Sequence, residues 1–238
     1  MTVKRKTIIA LHGAGMNASV YGGLAPLLGD DHIFHAITLP GHDAGRGELL
    51  YSIQAMSDWV KERIDTSEGR AVLMGHSMGA LVALQAANAP GVESVILMGA
   101  AAAMPVNADL LKGAKDNPGE TIRLMLKWSV YAEGAQAGTV KAVLEAMMRG
   151  VNPKALAADL EACNAFAEGP ALAAKLHKPA LVISATHDKM ARPMEGEGLS
   201  RLLPQATYKV IGGAGHMMMV EQAVETAAEI KAFLDAAG

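Results

Sequence analysis

The sequence predicts an α/β architecture, a mostly parallel β-sheet covered by helices. Three observations lead there. Short, near-continuously apolar runs recur along the chain, as strands buried on both faces do. Longer amphipathic stretches separate them, giving a β-α-β-α rhythm. The chain has 238 residues, 51% of them hydrophobic, enough for one large domain with a sizeable core.

The first run, 7–11, leads into a Gly-rich turn at His12-Gly13-Ala14-Gly15. The second covers 33–39 and precedes an amphipathic helix over 53–64. The third, 71–74, ends in Gly75-His76-Ser77-Met78-Gly79 and runs into a helix over 78–89. The fourth is 94–98. No strand-like segment follows until 180–184, and helix-like pieces punctuated by Gly and Pro fill the gap at 108–115, 120–131, 139–148, 153–166 and 171–176. Asn152 suits the cap of the fourth piece, with Pro153 in its first turn. A gap this long reads as a helical insertion over 104–178, a lid after the fourth strand, with 1–103 and 179–238 as the core. Pro193 opens a helix over 194–203. A sixth run at 207–211 and a helix over 220–234 close the pattern. Right-handed crossovers put all strand C-termini on one sheet edge, where the chemistry is to be sought.

Composition narrows the function. The 21 basic and 24 acidic residues leave a net charge of −3 with no basic block, which argues against nucleic acid as a partner. Cys163 is the single cysteine, so no disulfide framework or multi-Cys metal site is expected, and it reads as a small buried hydrophobe. The five-residue run at 7–11 is too short for a signal peptide, and no run reaches the ~18 apolar residues that a membrane helix needs. A cytoplasmic protein with no membrane association is expected. Homodimerisation stays open.

A strand ending in Gly75-His76-Ser77-Met78-Gly79 before a helix is the setting of a nucleophile elbow. The turn is sharp enough to exclude side chains at both glycines, and it lifts the Ser77 hydroxyl above the sheet edge. A serine hydroxyl needs a base, and the base needs an orienting acid. Among eight histidines, His216 sits in a Gly-rich loop after the last strand, where an imidazole reaches over the edge. His187 is its rival. His42 is placed at the site entrance, and His32, His35 and His177 on the surface or lid. Asp188 follows the fifth strand and lies between Ser77 and His216 in chain order. Its plainer reading is a turn or helix cap, and Asp109 is the fallback acid. Two backbone N–H groups should hold the oxyanion, one from Met78 and one from Ala14.

These motifs, with Leu39-Pro40-Gly41-His42, resemble the α/β-hydrolase superfamily over the whole chain. The resemblance implies a serine esterase-like enzyme with a helical lid in the family's position after its sixth strand. It implies no cofactor and no metal. So little sequence precedes the first run that six strands are expected where the family usually has eight. The continuation Asp43-Ala44-Gly45 departs from the Gly-Ser found in many members, as do Ala80 and Ala185 from frequent glycines.

The leading expectation is hydrolysis of a small or medium apolar carboxylic ester through an acyl-enzyme on Ser77. The same triad would also serve a carbon–carbon bond hydrolase, a thioesterase or lactonase, a cofactor-free perhydrolase or haloperoxidase, or a ligand-sensing receptor. A carbon–carbon hydrolase resembles others of its kind in an added arginine, for which Arg123, Arg149 and Arg192 are candidates. Substrate contacts are expected from His12, Gly13, Met16, His76, Met125, Trp128, Met190 and Met217, with Leu124, Tyr131, Met147 and Phe166 as further lid candidates, although at helical spacing each lid residue taken alone reads more readily as packing onto the core. The methionines predict an adaptable, aromatic-poor pocket.

Overall fold

The computed structural model describes residues 5–29, 32–43, 47–64, 71–131, 133–134 and 136–236. The departure at Ala44-Gly45 lies outside the described residues.

Six strands form one sheet: β1 (Thr7–Leu11), β2 (Ile33–Ile37), β3 (Ala71–His76), β4 (Val92–Met98), β5 (Ala180–Ala185) and β6 (Ala206–Ile211). Their order is β2-β1-β3-β4-β5-β6, and every pairing is parallel. The chain builds outward from β1 to β2, then returns to the other side of β1 with β3. The strand order therefore reverses between β1 and β3, and ligands of open α/β sheets bind outside the carboxyl ends at such a point. Both the His12–Gly15 turn and Ser77 emerge there.

β3 and β5 are buried throughout, and β1 and β4 nearly so. The expectation of strands covered on both faces fails for β2 and β6, which are only partly buried. They are the sheet edges, where the cover of helices runs out.

The core helices begin with the short α1 (Ala25–Leu28), followed by α2 (Ile53–Lys61), which Ser52 caps by accepting the Ala55 N–H at 3.1 Å. α3 (Met78–Ala86) is apolar and buried on nearly every side, because it packs on β1, β3, β4 and α2 together. Between β4 and β5 come α4 (Ala108–Asp116), α5 (Pro118–Ser129), α6 (Ala137–Arg149), α7 (Ala155–Ala165) and α8 (Gly169–Lys175). α4 packs on α5 and α7, and α5 on α6, whereas α8 returns to the core helix α3. The two ends of this excursion meet: a Cβ at Gly169 would stand 1.7 Å from the Ala102 carbonyl oxygen. α7 starts later than expected, because Asn152 accepts the Lys154 N–H at 3.0 Å and caps the turn before the helix.

After β5 come α9 (Pro193–Leu202), β6, α10 (Met218–Glu221) and α11 (Ala223–Ala236). The single helix expected over 220–234 is interrupted at Gln222, whose backbone leaves the helical region at ψ 55°. Among the described residues no helix is long and apolar enough to cross a membrane.

Candidate active site

The elbow has the geometry its glycines require. Ser77 sits at φ 53°, ψ −118°, the only non-glycine at positive φ among the described residues. That conformation costs of order 1–3 kcal/mol and persists only where the surroundings fix it. Here they do. The Ser77 N–H donates to the Met98 carbonyl at 2.9 Å. A Cβ at Gly75 would lie 2.1 Å from the Gly79 carbonyl oxygen, and one at Gly79 2.2 Å from that of Leu11. β3 thus crosses the first turn of α3, and that turn crosses the end of β1, in contacts that only hydrogen atoms fit. Tyr21 fixes the same Leu11 carbonyl from the far side, donating its hydroxyl at 2.8 Å.

His216 and Asp188 meet across 28 residues. His216 Nδ1 lies 2.8 Å from Asp188 Oδ2, with both side chains buried. The other oxygen, Oδ1, accepts the N–H groups of Met190 at 2.8 Å and Ala191 at 2.9 Å. One oxygen of Asp188 thus holds the turn and the other contacts His216. Burial alone would raise the Asp188 pKa, but His216 and the two backbone N–H groups outweigh it and hold the carboxyl below its usual range. An ionised Asp188 makes Nδ1 the protonated nitrogen of the neutral tautomer, the one in which Nε2 carries the lone pair.

Three further groups hold His216, and sequence reasoning missed what they do. His76, inside the elbow, points away from the serine hydroxyl and donates Nε2–H to the His216 carbonyl at 2.9 Å. Full burial, reinforced by the neighbouring His216, lowers its pKa to about 3, so it stays neutral. Gly99 makes room, since a Cβ there would stand 3.0 Å from His216 Nδ1. Glu221 brackets the histidine: Oε1 accepts the N–H groups of Gly215 at 3.0 Å and Met217 at 3.2 Å. Its Oε2 accepts the Tyr131 N–H at 2.7 Å, tying the loop to the end of α5. The Tyr131 ring stacks on the exposed His187 at 3.8 Å, and this rival histidine does not line the cavity at Ser77. Asp109 is exposed on α4, removed from this network.

A cavity of about 250 Å³ opens beside Ser77 and His216. Ala14, Met16, Met104, Leu110, Met125, Leu126, Trp128, Met148, Leu160, Cys163 and Met190 line it, with Lys189 and Glu195 as its charged members. Of the expected contacts, Met16, Met125, Trp128 and Met190 are on its wall. His12, Gly13, His76 and Met217 are not; all four are buried behind it as support. His12 accepts the Leu39 N–H at Nε2, 3.0 Å away, and cannot also face a substrate there. A Cβ at Gly13 would lie 3.4 Å from Ser77 Cβ, so this turn runs directly along the serine. Met217 faces the core, because the histidine loop turns into α10 at that point. Leu124, Tyr131, Met147 and Phe166 are likewise off the wall. His42 is buried, not at the entrance, and His32 is buried, not on the surface.

Arg123, Arg149 and Arg192 all sit in exposed ion pairs, with Glu120 and Glu145, with Glu145, and with Glu195, and none lines the cavity. The N–H groups of Ala14 and Met78 have no acceptor among the described residues. No group of three or more His, Cys, Asp or Glu among the described residues stands in a metal-holding arrangement.

A parallel sheet with a serine elbow at its switch point and a buried His–Asp pair beside it defines a hydrolase class. The chain belongs to that class: it matches the model of the alpha/beta hydrolase family over residues 8–229. It is 28% identical over 244 residues to a pimeloyl-[acyl-carrier protein] methyl ester esterase of Neisseria meningitidis serogroup A, which covers 97% of this chain and 77% of the relative. Its fold is similar to that of the enol-lactonase from Burkholderia xenovorans LB400, with TM-score 0.88, 24% identity, and coverage of 97% and 92% of the two chains. It is similar too to a thermophilic esterase from Thermogutta terrifontis, with TM-score 0.88, 21% identity, and coverage of 99% and 92%.

Proposed function

We propose that the protein is a serine carboxylic ester hydrolase that cleaves small or medium apolar esters. The observation that carries the reading is the 2.8 Å His216–Asp188 contact, set against the same apolar cavity into which the strained Ser77 opens. Ser77 Oγ attacks the ester carbonyl and His216 Nε2 takes its proton. Asp188 keeps the imidazole in the right tautomer and offsets the imidazolium charge. The N–H groups of Ala14 and Met78 hold the tetrahedral oxyanion, and Met78 opens helix α3, whose N-terminus favours negative charge. His216 then gives its proton to the leaving alcohol, and water, activated by the same base, releases the acid from the acyl-enzyme. Helices α4–α7, within the insertion 104–178, act as a lid and supply most of the acyl wall.

The test is a panel of p-nitrophenyl and methyl esters of graded acyl length. The methyl esters include those of carrier-protein-bound acids, because the curated relatives are named for such a substrate. Turnover with burst release of nitrophenol is expected for several acyl lengths, since flexible methionines adapt to varied apolar shapes. Absence of turnover across the panel would discard the esterase reading, and confinement to one acyl length would discard the adaptable pocket alone.

Asp188→Asn should lower kcat by about 10³–10⁴-fold, because an amide leaves His216 in the wrong tautomer for proton abstraction. Steady-state kinetics on one activated ester suffices. A loss under tenfold would show that another group orients His216.

A further inference from the structure

The turn after β1 is held from far along the chain. The Gly15 N–H donates to Asp159 Oδ2 at 2.8 Å, across 144 residues, from β1's turn to helix α7. The same oxygen lies 2.8 Å from His42 Nε2. His42 Nδ1 in turn lies 3.0 Å from the Pro40 carbonyl oxygen. With Nδ1 donating to the Pro40 carbonyl, one proton lies between His42 Nε2 and Asp159 Oδ2, and carried on His42 it makes the pair an imidazolium and a carboxylate. Burial on its own would lower the His42 pKa, but Asp159 and the carbonyls of Pro40 and Leu39 outweigh it and raise it. Burial also holds the Asp159 carboxyl above its usual range, against the pull of His42 and the Gly15 N–H, so the pair keeps its charges through the geometry of the contact and not through an acidic Asp159.

The other titratable groups at this pair are neutral. The His12 ring stands 4.8 Å from that of His42, and burial, with His42 beside it, lowers its pKa to about 3. Burial and the Asp159 charge push the Cys163 thiol up. Asp159 and His42 are 0% and 1% exposed, and Asp159 Oδ1 has no partner among the described residues. A buried ion pair with an orphaned oxygen is a poor stabilising device, since apolar groups of the same volume would serve stability at least as well. What this pair does is join three segments: the turn that carries Ala14, the 39–42 segment, and α7. The packing follows suit, for Gly15 is at φ +65° and a Cβ on it would meet Leu156 Cδ1 of α7 at 2.9 Å.

We propose that Asp159 is a positioning residue of the reaction. Its carboxylate, charged against His42, fixes the Gly15 N–H and so aims the adjacent Ala14 N–H at the developing oxyanion. Helix α7 thereby completes the oxyanion hole instead of merely covering it. The inference rests on the serine hydrolase reading above.

Asp159→Asn is the direct test. One carboxylate oxygen accepts from both Gly15 and His42. An amide that presents oxygen there leaves a charged His42 without its counter-charge, or a neutral one with a bare Nδ1 against the Pro40 carbonyl. An amide that presents nitrogen opposes the Gly15 N–H. No orientation keeps all three contacts. The expected result is a kcat about 10–100-fold lower on a short-chain p-nitrophenyl ester, with KM little changed, as for loss of a contact made in the transition state. Affinity for an alkyl boronic acid should fall by the same factor. Ser77 Oγ adds to the trigonal boron, its proton passes to His216, and the tetrahedral adduct sets an oxygen in the oxyanion position.

His42→Gln leaves the carboxylate on Gly15 but removes its charge partner. It should lose kcat and boronate affinity together by a smaller factor, and it decides the matter where Asp159→Asn fails to fold. A folded variant with wild-type kcat and boronate affinity overturns the proposal, as does a loss confined to KM or to thermal stability. A wild-type protein that neither turns over esters nor binds the boronate overturns the serine hydrolase reading, and this inference with it.

Discussion

Replacing Ser77 with alanine is expected to lower kcat for ester hydrolysis by about 10⁵–10⁶-fold while leaving the protein folded. The two halves of this expectation have separate grounds. The hydroxyl makes no capping hydrogen bond to helix α3, so its removal orphans no partner there. The strained backbone at φ 53° is imposed by the neighbouring glycines and the Met98 carbonyl, and alanine meets the same strain that serine does. Stability should therefore shift by no more than about 1 kcal/mol. In the proposed mechanism chemistry has no substitute, because His216 is left with no hydroxyl to deprotonate and no tetrahedral oxyanion forms on the enzyme. Triad members act as a unit, and removing one costs nearly what removing all does. Single-turnover kinetics beside a thermal melt checks both halves. A folded Ser77→Ala protein that retains full turnover would remove the entire mechanism.

Replacing Gly75 with alanine is expected to cost at least about 4 kcal/mol, a large share of the ~5–15 kcal/mol by which domains are stable. The new Cβ would lie 2.1 Å from the Gly79 carbonyl oxygen, 2.3 Å from its carbon and 2.5 Å from the Ala80 nitrogen. All three are backbone atoms of the first turn of α3, so no rotamer change relieves the clash. The helix must withdraw from β3, and because it is buried on nearly every side, its withdrawal opens the core beside β1 and β4. Urea denaturation with activity measured in parallel tests this. A Gly75→Ala protein as stable as wild type, and active, would show that the elbow is looser than these distances require. Gly138 offers the control: a Cβ there meets nothing within 4 Å, and in helix α6 alanine is preferred over glycine by up to about 1 kcal/mol.

Much of this is legible in the amino-acid sequence. The six strands fall on the six apolar runs, because a strand covered on both faces has to be apolar at nearly every position. Where that cover is missing, at β2 and β6, the rule gave the strand and misjudged its burial. Ser77 is legible from its glycine-flanked elbow, and His216 and Asp188 from their places just past strand ends; all three lie on one sheet edge for the reason that parallel crossovers are right-handed. Asp159 and Glu221 were missed. Asp159 did leave a trace, a single carboxylate in an otherwise apolar stretch from Ala155 to Leu160, which periodicity treats as an interruption. His42, which its sequence position places at an entrance, is buried against Asp159 of α7. Met16 and Met190 line the cavity and Met217 does not, because nearness in sequence to a candidate catalytic residue does not say which side of the loop faces the cavity.

The sequence by itself determined the sheet, the elbow and the order of the three candidate catalytic groups. These depend on local signals: apolar runs of strand length, glycines at a turn too tight for a Cβ, and residues immediately after strands. Only the tertiary structure decided what holds those groups in place. The Asp159–Gly15 contact spans 144 residues, His76 to His216 spans 140, and Glu221 to Tyr131 spans 90. Each depends on how the helices between β4 and β5, or the loop after β6, settle against the sheet edge. Pairing a buried charge is a condition on three-dimensional neighbours, and no spacing along the chain encodes which neighbour will meet it.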